Sequence, residues 1–262
     1  MYKIAVDIGG TFTDIVLTNG REAYSEKVLT TTSNPEIGAI KGIQSLLKKI
    51  GVSINKINTI IHGTTLAANS IIQRKGAKTA FITTNGFRDI LEMQYEKRFD
   101  QYNLNIELPI PLVPRDLRFT LKERCLSSGK IILKPKINEI KILAKKLISL
   151  KIDAIAIGFL HSYTNAENEL FVKNTLRKIL PPEITLCTSH QICPEVREYE
   201  RFSTTVANSF VRPLMIRYLD SLEKSLIKLG FKGKMFLISS DAGITTISVS
   251  YTHLTLPTIL LV

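Results

Sequence analysis

Asp7-Ile8-Gly9-Gly10-Thr11-Phe12-Thr13-Asp14 places a carboxylate, two glycines and two hydroxyls in the turn between two expected strands. Lys3 to Ile8 alternates and is rich in β-branched residues, Ile15 to Leu17 is apolar, and the glycines between them allow a tight reversal. Such a hairpin suits phosphate. Gly9 and Gly10 let backbone N–H groups approach phosphate oxygens, the Thr11 and Thr13 hydroxyls add donors, and Asp7 can hold a hydrated Mg²⁺. An ordinary Gly-Gly hairpin with a polar rim satisfies the same eight residues.

The surrounding chain has 262 residues, 44% of them hydrophobic, enough for a sizeable core in one large domain or two ordinary ones. No run approaches the roughly 18 apolar residues of a membrane span, and the N-terminus enters a strand carrying Asp7 in place of a basic region followed by an apolar signal segment. Cytoplasm is the expected compartment, with no membrane partner. Cys125, Cys187 and Cys193 are too few and too unevenly spaced for a disulfide framework or a paired zinc site. The net charge of +12 could signal nucleic acid, but the lysines are spread over helix faces without an arginine-aromatic cluster. A lysine- and isoleucine-rich bias explains the charge better, and no nucleic-acid partner is expected.

Glu22 to Thr31 reads as a third strand, and Ser33-Asn34-Pro35-Glu36 as a capped helix start with an early proline. That helix should run to Ile50, with Ile40, Ile43 and Leu47 on one face and Gly51 as its left-handed terminator. Thr59 to Ile61 is an expected strand entering His62-Gly63-Thr64-Thr65, followed by a helix from Leu66 to about Arg74 closed by Gly76, and a strand from Lys78 to Thr83. Further along, Asn138 should cap a helix with the stripe Ile140, Leu143, Ala144, Leu147 and Ile148, and Asp153 to Leu160 is an apolar run of buried-strand type. A helix over Asn165 to Leu180, a strand over Ile184 to Thr188, a long helix from Glu198 to Leu229 kinked or broken at Pro213, and a strand over Lys234 to Ser239 complete the series.

Three consecutive strands followed by alternating helix and strand imply an α/β fold, a mixed sheet with helices packed on it. Pro109, Pro111 and Pro114 punctuate an extended connection, which sets an expected boundary near Pro135. We therefore expect one region over 1–135 and a second over 136–247. Residues 248–262 stand apart. Val249 to Thr258 can be encoded as GTC TCT TAT ACA CAT CTG ACG CTG CCG ACG, which resembles read-through of a transposon-based sequencing adapter, so this tail is expected to be an artefact and the chain a fragment.

Taken together, the blocks DIGGTFTD at Asp7, HGTT at His62, ITTNGFRDILE at Ile82, PIPLVPR at Pro109, FLHSYTN at Phe159 and SHQICPEVREYERFSTTVANSFVRP at Ser189 resemble the amino-terminal part of the hydantoinase A/5-oxoprolinase family. The resemblance implies a ribonuclease-H-like fold of the actin/sugar-kinase/Hsp70 ATPase superfamily, here with an incomplete second lobe. It also implies ATP and Mg²⁺ as cofactors, with Gly9, Gly10, Thr11 and Thr13 around the phosphates and Asp7 towards Mg²⁺ through water. Thr64 and Thr65, entering a helix, extend the cofactor set, although capping alone would explain them. Asp7, Thr11, Asp14 and His62 are the candidate catalytic residues; His62 could equally hydrogen-bond its loop shut. Glu195, Arg197, Glu198 and Arg201, with Asp241, are candidate substrate residues. Arg88 and Asp89 read as an ion pair fixing a turn, and His161 and His190 as structural histidines.

The implied chemistry is phosphoryl transfer from ATP to a lactam or imide carbonyl oxygen, which creates a leaving group and lets water open the ring. Such a transfer needs positioning and charge neutralisation more than covalent catalysis. The expected partners are a small cyclic amide and a hydantoinase B-type subunit or domain. The alternatives are an ATP-dependent acetone or acetophenone carboxylase subunit, or an inactive fragment that binds no nucleotide. A repressor-type sugar kinase shares the Asp-x-Gly-Gly-Thr turn but normally carries a cysteine-rich zinc motif, against which three scattered cysteines argue.

Overall fold

The computed structural model describes residues 1–31, 34–95, 102–106, 109–238 and 243–246. The expected artefact tail over 248–262 lies outside them, as does Ser33. In chain order the elements are β1 (Tyr2–Ile8), β2 (Phe12–Thr18), β3 (Ala23–Leu29), α1 (Pro35–Ile50), β4 (Ile57–Thr64), α2 (Leu66–Ile72), β5 (Thr79–Thr84), α3 (Ile90–Met93), β6 (Arg118–Leu121), β7 (Arg124–Cys125) and β8 (Ile131–Leu133). They continue as α4 (Ile137–Ser149), β9 (Ala154–Gly158), α5 (Glu167–Arg177), β10 (Thr185–Thr188), α6 (Ser189–Ile192), α7 (Glu198–Lys228), β11 (Lys234–Ile238) and β12 (Ile244–Thr246).

The chain forms two units. The first comprises Met1–Lys75 with the described residues from Leu214 onward, and the second Gly76–Pro213. In sequence, the second unit is inserted into the connection between β4 and β11 of the first. Residue 135 falls inside the inserted unit, because β5 pairs with β9 across it and holds both sides of the expected boundary in one sheet.

Among the described residues, the first unit has a six-stranded sheet in the order β12-β11-β4-β1-β2-β3. β1, β4 and β11 run parallel, while β2 pairs antiparallel with both β1 and β3. Apart from the edge strand β12, this is the expected ribonuclease-H-like arrangement. Alternation decides the faces: Ile4, Val6 and Ile8 of β1 and Ile15 and Leu17 of β2 pack with Ile43 and Leu47 of α1 and Tyr218 and Leu222 of α7. Pro35 occupies the first turn of α1 as expected, but the Asn34 side chain makes no capping bond, and Glu36 accepts from Ser221 Oγ at 3.1 Å. Gly51 ends the helix in the left-handed conformation, φ 69°.

The ending of α2 differs from expectation. Arg74, not Gly76, takes the left-handed conformation at φ 56°. Arg74 N–H donates to Ile71 O at 3.1 Å and Lys75 N–H to Ser70 O at 2.8 Å, the paired bonds of a Schellman turn. Gly76 serves packing instead, since a Cβ there would lie 2.2 Å from Phe210 Cε1. Arg74→Gly is therefore expected to stabilise the protein by about 0.5–1 kcal/mol, relieving the left-handed penalty against some loss of chain entropy. A shift in urea unfolding midpoint checks it.

The second unit holds a parallel four-stranded sheet, β10-β9-β5-β6. β5 and β9 are buried throughout, as the continuous apolar run at Asp153 to Leu160 anticipates. Ile140, Leu143, Ala144 and Leu147 of α4 pack on this sheet, but Lys136 and not Asn138 occupies the cap position. α7 runs on through Pro213, where a break or kink is expected. The helix is not broken there, although the proline lacks the N–H that would meet the Ser209 carbonyl.

Candidate functional site

The expected phosphate residues gather at one end of the first unit's sheet, on two faces. Gly9 N–H donates to Phe12 O at 3.0 Å and closes the turn between β1 and β2. A Cβ on Gly9 would lie 3.0 Å from that carbonyl, and one on Gly10 would lie 3.3 Å from Asn69 Nδ2, so the backbone of the turn is approached closely on both sides. Gly9 and Gly10 line a cleft of about 210 Å³ together with Ile8, Asn69, Gln73 and Lys75. Asn69, Gln73 and Lys75 were not anticipated. The i, i+4 spacing of Asn69 on α2 and Gln73 at its C-cap is the signal that points to a shared polar face.

Thr13 is fully buried. Its Oγ1 lies 2.9 Å from Thr30 Oγ1, which donates to Gly9 O at 3.0 Å. The Thr13 hydroxyl therefore braces the turn from beneath, which corrects its placement among the phosphate donors. Thr11 is exposed in the turn, and its carbonyl accepts from Thr30 N–H at 2.9 Å. Thr64 and Thr65 both direct Oγ1 to Ile8 O at 3.4 Å, and Thr64 Oγ1 also accepts from Leu66 N–H at 3.1 Å. They tie β4 and the start of α2 to the end of β1; Thr64 meets the first helical N–H, whereas Thr65, at the cap position, makes no side-chain capping bond.

Asp7 leaves β1 on the other, solvent-facing side. It stands opposite Asp14 in the β1–β2 register and opposite Gly63 on β4, whose missing side chain leaves the carboxylate uncovered. Lys27 pairs with Asp14 at 3.0 Å, whereas Asp7 has no ionic partner among the described residues. Two facing carboxylates with one counter-ion favour a bound cation. Among the described residues no group of three acidic, His or Cys ligands exists, so the pair fits a Mg²⁺ that keeps most of its water, not an all-protein cage.

His62 faces inward. Nδ1 lies 3.2 Å from Val6 O, Nε2 lies 2.7 Å from Tyr218 Oη, and the ring is fully buried. Val6 O can only accept, so Nδ1 carries the proton and Nε2 accepts from the tyrosine. Burial pushes the imidazole down to about 4. With both nitrogens engaged and no solvent access, His62 closes the strand from inside, and its place among the catalytic residues is corrected.

In the second unit, Arg201 is also fully buried. It donates to Glu195 O at 2.6 Å, Val196 O at 3.3 Å, Phe159 O at 3.2 Å and Ser189 Oγ at 3.3 Å, and its guanidinium lies over the rings of Tyr163 and Phe202. Ser189 gives its single hydroxyl proton to Glu169 Oε1 at 2.6 Å, so Ser162, 2.9 Å away, must donate to Ser189. Glu169 also accepts from Phe159 N–H, His190 N–H and His190 Nδ1, the last at 2.6 Å. His190 is structural, as expected, but Glu169 was not foreseen. Arg201 holds the carboxyl ends of β9 and β10 to α7, which removes it from the substrate set. Glu195 and Arg197 are exposed, and Glu198 is half-buried 3.8 Å from Arg201. Asp241 lies outside the described residues. Asp89 pairs with Arg115 at 2.9 Å, not with Arg88, which donates to Arg115 O.

Nearby, Glu123 accepts from Thr84 Oγ1 and, at 2.8 Å, from Asn168 Nδ2, and burial pushes its carboxyl up. No helix among the described residues is long and apolar enough to cross a membrane.

Residues 3–180 match the family model of the hydantoinase/oxoprolinase N-terminal region. The chain is 36% identical to the uncharacterized protein MJ0964 of Methanocaldococcus jannaschii, over 94% of its own length and 36% of that protein. It is 32% identical to the 5-oxoprolinase of Saccharomyces cerevisiae, over 86% of this chain and 20% of the enzyme. Among solved structures, the ATP-dependent caprolactamase from Pseudomonas jessenii superposes with TM-score 0.85 at 28% identity, over 92% of this chain and 36% of the other. The chain thus spans between a fifth and about a third of the length of these proteins.

Proposed function

Because the chain belongs to the hydantoinase/oxoprolinase family, we propose that it supplies part of the ATP site of an ATP-dependent cyclic amidohydrolase acting on a lactam or imide in the cytoplasm. The single observation that carries this reading is Asp7, a carboxylate without an ionic partner among the described residues, one residue from a glycine turn that borders a cleft. The relatives support it: a 5-oxoprolinase and an ATP-dependent caprolactamase both have names that specify cyclic-amide substrates.

In this reading the turn carrying Gly9, Gly10 and Thr11 presents backbone N–H groups to the phosphates, and Asp7 with Asp14 holds Mg²⁺ through its water shell. Mg²⁺ supplies neutralisation of phosphate charge during transfer to the amide oxygen. Thr13, Thr30 and His62 keep the turn and the end of β1 in place from the buried side. Of the substrate set, Glu195, Arg197 and Glu198 remain candidates, and a B-type subunit or domain is the proposed partner for ring opening.

Calorimetric titration of MgATP into the protein tests the nucleotide site, and ADP release with a B-type partner and 5-oxoproline, hydantoin or caprolactam tests the reaction. Asp7→Asn should weaken MgATP binding about tenfold, the worth of one charge-assisted contact, while changing metal-free ATP binding little. Absence of MgATP binding, or of any amide-stimulated ADP release by the complete enzyme, would sink the reading.

A further inference from the structure

The cleft beside the glycine turn has a charge asymmetry. Among its lining residues Lys75 alone is charged, and no carboxylate borders it; the remainder are glycines, neutral polar groups or apolar side chains. Asp7 and Asp14 project from the opposite face of the sheet, so they do not neutralise this lysine within the cleft. No ion pair is formed by Lys75 among the described residues.

Its backbone is fixed. The Schellman turn at the end of α2 anchors Lys75 N–H on Ser70 O at 2.8 Å, and it is made with an arginine at the left-handed position where glycine is usual. A strained terminus therefore sets where Lys75 leaves the helix, beside Gly9, Gly10 and Asn69. An exposed ammonium facing a carboxylate-free cleft bordered by close-approach glycines has the chemistry of an oxyanion site, and a polyphosphate is the anion that can use both the cation and the turn amides.

We propose that Lys75 binds the phosphate chain of a nucleoside triphosphate lying across the end of the β1–β2 turn, Nζ donating to its oxygens from the cleft side while Asp7 and Asp14 would meet it, through Mg²⁺, from the other. Asn69 lines the cleft between Lys75 and the turn; its amide nitrogen donates one N–H to Thr65 Oγ1 at 3.1 Å and has a second to offer. This assignment rests on the nucleotide reading of the same turn, and it adds a residue from the turn that ends α2, which the glycine motif does not contain.

Calorimetric titrations with sodium tripolyphosphate, MgATP and adenosine test it on the wild-type protein, Lys75→Met, Lys75→Arg and Lys56→Met. Lys56 precedes β4 at the opposite end of the strands. Thermal unfolding confirms that each variant is folded; Lys75 is exposed and its substitution leaves the core intact. The expected result is tripolyphosphate and MgATP binding weakened about tenfold or more in Lys75→Met, largely restored in Lys75→Arg, and unchanged in Lys56→Met. Equal affinities for wild type and Lys75→Met would overturn the role of Lys75 and leave the nucleotide reading standing. Tripolyphosphate binding that depends on Lys75, with no binding of MgATP, would keep Lys75 as a phosphate ligand and remove the nucleotide. If wild type binds neither, both fall.

Discussion

Arg201→Ala should lower the unfolding free energy by about 3–5 kcal/mol, the range for removing one member of a buried, hydrogen-bonded charge cluster. The side chain is buried and meets the carbonyls of Phe159, Glu195 and Val196 and the hydroxyl of Ser189. Truncation strands those acceptors in a space that water must enter or that stays empty. It also removes the guanidinium that donates to Ser189, whose hydroxyl in turn donates to the buried Glu169. Arg201→Lys should recover less than half of the loss, because one ammonium cannot span a fork that reaches three carbonyls and a hydroxyl. Urea unfolding followed by far-UV circular dichroism measures both. A wild-type midpoint in Arg201→Ala, with loss confined to amide-dependent turnover, would restore this arginine to the substrate site.

This arginine also shows why part of the site is hidden from the sequence. In Glu195 to Arg201 the acidic and basic side chains alternate, and composition alone offers no means of telling an exposed pair from a buried one. Arg197 stays in solvent while Arg201, four residues on, lies beneath the chain that connects α6 to α7. The strand faces are different, because they obey a period of two. The same alternation that marks β1 and β2 as half-buried strands assigns Thr13 to the side of Ile15 and Leu17, and Asp7 and Asp14 to the other side. Read with that parity, the octapeptide separates into a buried brace and a solvent-facing carboxylate pair.

Domain organisation is less accessible. Prolines at 109, 111, 114 and 135 mark connections, but they carry no record of which strands later pair, and the β5–β9 ladder joins segments on both sides of them. The exits from the first unit are likewise unmarked. Gly76 resembles a helix terminator, yet it is glycine because Phe210 occupies the place of its side chain, while the left-handed turn falls on Arg74. A residue chosen for a contact more than a hundred positions away leaves no local pattern.

His62 provides the second large effect, and it is one of pH. Its imidazole is held down to about 4 by burial, against about 6.5 in an unfolded chain. A base whose folded pKa is depressed leaves the unfolded chain binding more protons at intermediate pH. The neutral ring therefore contributes its full stability above about pH 6.5, and this is lost as pH falls from there towards 4. The total is about 3 kcal/mol, over a range in which Tyr218, whose phenol burial pushes further up, remains a neutral donor. His62→Gln removes the titrating group while an amide can still meet Val6 O or Tyr218, so the difference in stability between wild type and variant should shrink as pH falls from 7 to 4.5. A catalytic base would behave otherwise: its loss would cut turnover at neutral pH and remove a limb of the pH–rate profile, with stability following the wild-type curve. Nitrogen NMR of the folded protein at pH 6 should show a neutral ring protonated at Nδ1. A ring that titrates near 6.5 in the folded state would overturn this account, because Nε2–H would then donate to the Tyr218 oxygen in place of accepting its hydroxyl proton.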